Sequence, residues 1–237
     1  MSNLALPPEL EAVRDRLPEL VRDLERVAPY GAVLATSVSG LEAVVTHREQ
    51  RVSESERSQG AVFTAWNGEY LQERAVGSLD LDALAGGVAA LAGDLAVRPG
   101  LAPDPGPAKS AHFSLPMAQD PRQRSPRDKL ELCQRYHAAV RGLDARLVNA
   151  RVTYQEICEA KVYANRTRLV SQSLYRIRLR VVLFASDGQR VQRDWVGRDG
   201  TGGLEIAELS EADLYALADS TIALLGAVHP DEQESVG

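Results

Sequence analysis

The stretch from Tyr175 to Leu183 sets Tyr175, Ile177, Leu179, Val181 and Leu183 on one parity and Arg176, Arg178 and Arg180 on the other. A period of two fits a strand, and an apolar face opposite a guanidinium face fits a sheet buried on one side only. Strands of that kind belong to antiparallel sheets closed by hairpins, because parallel sheets are covered on both faces. Two hairpin signals accompany it. Asn67-Gly68 joins Ala61–Trp66 to Glu69–Val76, and Asp187-Gly188 leads back into Arg190–Val196, each predicting a two-residue type I′ turn. Val44–Arg57 has room for one more strand, and strands are expected from Val148 to Val196.

Helical periodicity brackets these strands. Leu10, Val13, Leu17, Leu20, Leu24 and Val27 make one apolar stripe, with Pro7 and Pro8 in its first turn and a kink expected at Pro18. Leu81, Leu84, Val88, Leu91 and Leu95 make a second, weakened by Gly86-Gly87. Ser125-Pro126-Arg127-Asp128 reads as a Ser cap, a Pro at the first helical position and an acid at the third. Leu130, Cys133, His137 and Val140 follow as that helix's stripe. Ser210-Glu211-Ala212-Asp213 repeats the capping logic ahead of Leu214, Leu217, Thr221, Leu224, Leu225 and Val228. The expected fold class is α+β, antiparallel sheets with flanking helices in two helix–strands–helix units. Seven prolines between Pro99 and Pro126, with Gly100 and Gly106, stop any periodic pattern. They place a first unit at 1–98, a Pro-rich linker at 99–125 and a second unit at 126–237. His112, Phe113, Leu115 and Met117 leave open that the linker is instead a packed excursion over the surface.

Composition narrows the function classes. With 237 residues, 44% hydrophobic and 25% charged, the chain is long and apolar enough for a sizeable core. Lys+Arg 27 against Asp+Glu 33, a net charge of −6, argues against nucleic acid as a partner. No apolar run reaches the ~18 residues of a membrane span. Met1-Ser2-Asn3-Leu4 has neither a basic start nor an apolar signal core, and Cys133 and Cys158 read as reduced thiols, so a cytoplasmic location is expected.

Catalytic motifs are scarce. None of His47, His112, His137 and His229 stands in a His-Glu-x-x-His pattern, and no Gly-x-Ser-x-Gly elbow occurs. Cys133 and His137 are four residues apart, as two ligands of one metal would be, but both fall on an apolar stripe and two ligands do not close a site. Gly197–Gly203 lacks the spacing of a phosphate cradle and reads as a turn between strand and helix. Arg176, Arg178 and Arg180 permit two readings. They form either a solvated face whose stems cover apolar atoms, or a contact face for a peptide or an acidic partner.

Several stretches together resemble the N-terminal part of the TldD/PmbA family of metallopeptidases, formerly described as modulators of DNA gyrase. They are Gly60–Gly68 with the helix from Leu79, Lys129–His137, Val148–Val152, Lys161–Asn165 and Gly202–Glu205. Arg166-Thr167-Arg168 departs from the Ser-Glu-Gly that similar members carry after the Asn. The resemblance implies an α+β N-terminal unit and a central domain, followed in the family by a C-terminal domain whose His-Glu-x-x-x-His helix binds zinc. The chain reaches Gly237 about where that domain begins, so no cofactor is expected within it and zinc is expected only in the further domain. The implied role is to bind unfolded peptide and to contact a like or unlike TldD/PmbA-like subunit in an oligomer. A non-catalytic scaffolding subunit is the alternative, and an independent small-molecule enzyme a third class.

Overall fold

The structure is a computed structural model, and it describes residues 2–227. Val228 and His229, named above, lie outside the described residues. The chain divides into two compact units, each assembled from three separate segments. The first comprises Met1–Gly40, Glu54–Ala118 and Ile157–Arg176; the second comprises Leu41–Ser53, Gln119–Glu156 and Ile177–Gly237.

In chain order the strands are β1 (Ser2–Asn3), β2 (Tyr30–Val45), β3 (Gln50–Trp66), β4 (Leu71–Val76), β5 (Lys109–Ser114), β6 (Pro116–Met117), β7 (Leu147–Asn165), β8 (Arg168–Ser186) and β9 (Val191–Thr201). The helices are α1 (Pro8–Arg14), α2 (Leu17–Leu24), α3 (Leu81–Asp94), α4 (Pro126–Val140) and α5 (Glu211–Ala223). Seven strands hydrogen-bond in the order β4-β3-β2-β7-β8-β5, with β9 also on β8, while β1 pairs β6 separately. The class is α+β, as the pattern predicts, and β5 runs parallel to β8. β2, β3, β7 and β8 contribute residues to both units. Among the described residues no helix is long and apolar enough to cross a membrane.

The core of the first unit gathers Leu10, Leu17 and Leu24 from α1 and α2, Phe63 from β3, Leu84 and Leu91 from α3, and Val162 from β7. The expected kink at Pro18 is a full break: α1 ends at Arg14, and Pro18 sits in the first turn of α2, where its missing N–H costs nothing. In the second unit both predicted caps form complete capping boxes. Ser125 Oγ accepts from the Asp128 N–H while Asp128 accepts from the Ser125 N–H, and Ser210 and Asp213 do the same.

Three expectations change. β2 is a 16-residue strand where the sequence pattern shows none, because Ala32, Ala35, Thr36, Ser37 and Ser39 blur the contrast that alternation needs. Gly197–Thr201 continues β9 rather than turning; Gly197 lies so close under β8 that a Cβ there would meet the Leu179 carbonyl at 2.7 Å. The hairpin loops have four residues, not two. Asn67 Oδ1 accepts from the N–H groups of Glu69 and Tyr70, and Asp187 Oδ1 from those of Gln189 and Arg190. Only the following glycine, Gly68 or Gly188, takes a positive φ, whereas a type I′ turn needs two such residues in succession. Thr46 holds the β2–β3 loop by the same device, and Asn165 the β7–β8 connection.

The proline-rich stretch carries strand and strapped coil. β5 pairs Lys109–Ser114 with Arg168–Ser173, and the Arg98 N–H donates to the Asn67 carbonyl at 2.7 Å. Asn165 Nδ2 donates to the Pro105 carbonyl at 3.0 Å.

Candidate functional site

Strand alternation places the three sequence-selected arginines as expected, on the exposed parity of β8 with Tyr175, Ile177 and Leu179 buried opposite. Their partners differ. Arg176 belongs to the first unit and donates to Glu159, which also pairs Lys161; these two cations hold the Glu159 carboxyl below its usual range. Arg178 and Arg180 belong to the second unit. Arg178 pairs with Asp199 of β9 at 3.2 Å, and the Arg180 guanidinium lies over the Trp195 ring, 4.2 Å from its centroid. Gly197 leaves a notch of about 230 Å³ next to them, lined also by Arg198 and Asp199. Trp195 escaped the sequence reading; its signal is parity, since it alternates with Asp194 and Val196 on a strand facing β8.

A second feature of this unit lies at a cleft of about 910 Å³ beside α4. Lys129 reaches the cleft yet is buried, and its Nζ donates to Glu156 Oε1 at 2.7 Å. The other carboxylate oxygen of Glu156 accepts from the Tyr154 hydroxyl at 2.6 Å. Both partners of this pair are more than nine-tenths shielded from solvent, so the charges stand only because each is paired. Asp120, on the same side, is held below the usual carboxylate range chiefly by its hydrogen bonds from Arg122, with Lys129 adding to the effect. The sequence contains the signal in hindsight. Lys129 is one helical turn before Cys133, and Glu156 continues the buried parity of Ala150, Val152 and Tyr154 on β7.

Gly202-Gly203-Leu204-Glu205, part of the resemblance, acts as a clasp on Gln119, where the chain re-enters this unit. Glu205 accepts from the N–H groups of Gly203 and Gln119, and the Leu204 N–H donates to the Gln119 carbonyl at 2.8 Å.

Zinc does not fit these residues. A zinc site requires three or four converging ligands, and among the described residues no three His, Cys, Asp or Glu side chains converge. Cys133 faces the Ala43 carbonyl, and burial pushes its thiol up to about 12, far from the thiolate that binds metal. An unfolded thiol ionises near 9, so the stability Cys133 contributes is complete below pH 9 and is lost as pH rises towards 12. Urea midpoints are therefore expected to fall more steeply above pH 9 for the natural chain than for Cys133→Ala. Parallel curves would overturn this.

The architecture defines an α+β scaffold with an arginine-bearing sheet face and a buried ion pair. Residues 119–226 match the family model of the PmbA/TldA metallopeptidase central domain. That match falls in the family which the sequence resemblance named. The fold is also that of a candidate modulator of DNA gyrase from Bacteroides thetaiotaomicron, with 11% identity and TM-score 0.70, over 92% of this chain and 50% of that one. A second, from Thermotoga maritima, has 13% identity and TM-score 0.71, over 93% and 50%. TldE from Thermococcus kodakarensis has 14% identity and TM-score 0.66, over 86% and 46%. The chain thus spans about half the length of these structures. No curated protein sequence matches it.

Proposed function

We propose that this chain is the peptide-holding and subunit-contact part of a PmbA/TldD-like metallopeptidase, working in the cytoplasm beside a zinc-bearing His-Glu-x-x-x-His domain on further polypeptide. The observation that carries this reading is the match of residues 119–226 to the PmbA/TldA metallopeptidase central domain. The sheet adds support. β9 pairs only with β8 and β4 only with β3, so neither has a second strand partner among the described residues, although α5 packs against β9 and α3 against β4. An extended peptide can add to such a strand through backbone hydrogen bonds, which gives affinity with little dependence on sequence. The chain's own residues then bind and orient, and bond cleavage is left to the metal-bearing part.

The test uses the purified full chain and a dye-labelled unfolded peptide. Binding without cleavage is expected, together with co-purification of a metal-bearing PmbA/TldD-like subunit that restores cleavage. Chelator-sensitive cleavage by the chain alone, or neither binding nor association, would overturn the reading.

A further inference from the structure

We propose that the Arg180–Trp195 shelf at β9 selects acidic side chains of an extended peptide. This inference rests on the peptide-holding reading above and adds a substrate class to it. Three observations converge. Arg180 is bound to the Trp195 ring alone, with no carboxylate partner among the described residues, although other arginines around it are neutralised: Arg178 by Asp199, Arg198 by both oxygens of Asp213. A guanidinium stacked on an indole keeps its in-plane N–H fork free and loses little further freedom on pairing. Trp195 is 56% exposed, and its indole N–H donates to no described residue. Arg193, two residues before Trp195 on the exposed parity of β9, also has no acidic partner among the described residues.

The notch supplies the shape. It exists because residue 197 has no side chain, and none can be added there, since a Cβ would stand 2.7 Å from the Leu179 carbonyl. Three arginines and one aspartate line it, an excess of positive charge in a chain whose net charge is −6. An extended peptide lying beside β9 turns every second side chain onto this face. A Glu or Asp at such a position meets Arg193 and the Arg180 fork, while its stem lies against the indole.

The test compares two capped peptides of equal length, one alternating Val and Glu, the other Val and Gln, binding to the full chain by fluorescence anisotropy. The Glu peptide is expected to bind roughly tenfold tighter at low salt, the order set by two exposed bidentate ion pairs. The advantage should shrink on raising salt to ~0.5 M. Arg180→Gln with Arg193→Gln should abolish it and leave binding of the Gln peptide unchanged, whereas Arg176→Gln should leave it intact. Equal binding of both peptides, or an equal loss in Arg176→Gln, overturns the inference while the peptide-holding reading stands. A Gln peptide with a free C-terminal carboxylate that matches the Glu peptide overturns the assignment to side chains. Binding of neither peptide removes both.

Discussion

Replacing Glu156 by leucine is expected to lower the stability of the chain by about 3–5 kcal/mol. The variant leaves the Lys129 ammonium in a buried site without the carboxylate oxygen it now meets at 2.7 Å, and removes the acceptor of the Tyr154 hydroxyl at 2.6 Å. For a chain of this size the cost corresponds to a melting temperature lower by roughly 10 °C. Its origin is the lone buried charge rather than the lost attraction, and a second variant separates the two. Lys129→Met combined with Glu156→Leu removes both charges, replaces them with apolar atoms of similar volume and should recover most of the loss. Urea denaturation of the three proteins decides it. A double variant as unstable as Glu156→Leu alone would show that the pair itself, not the orphaned lysine, sets the cost.

Gly203→Val is expected to cost about 3 kcal/mol or more, the sum of an overpacked contact and weakened hydrogen bonds to a carboxylate. A Cβ on residue 203 would stand 2.2 Å from the Gln119 carbonyl oxygen and 2.5 Å from Glu205 Oε2. Both are groups of the clasp, so the side chain cannot be accommodated without parting Gln119 from the Leu204 and Glu205 segment. Gly86→Ala is the contrasting change. It lies in α3 with nothing within 4 Å of a new Cβ, and should raise stability by roughly 0.5–1 kcal/mol through the unfolded chain. Equal unfolding midpoints for the two glycine variants would remove the clasp as a structural element.

The parts of this fold that could be read in advance are those where one local rule decides. Ser125 and Ser210 each precede an acid by three residues, and the capping boxes follow. The alternation around Arg178 needed only the pleat. What stayed hidden depends on partners distant in sequence. β2 is a strand because its neighbours β3 and β7 hold it, not because Ala32 and Ser37 favour extension. Gly197–Thr201 extends for the same reason beside β8. Lys129 and Glu156 each look like a solvated charge when read alone, and only the packing of α4 on β7 shows that they neutralise one another. Asn67-Gly68 and Asp187-Gly188 marked their turns correctly, but loop length was set by side-chain oxygens that capture two N–H groups each.

The interleaved composition of the two units has a consequence for biosynthesis. A ribosome that has released Met1–Ala118 has delivered α1, α2, α3 and strands β2 to β4, yet Ala160, Val162 and Ala164, which complete the same apolar cluster, are still to be translated. The first unit therefore closes only after Arg176 has left the exit tunnel. By then α4, all of β7 and about half of β8 have also emerged. Nascent chains of this protein thus hold an incomplete core through much of their synthesis, the stage at which a chaperone that covers apolar surface has most to shield.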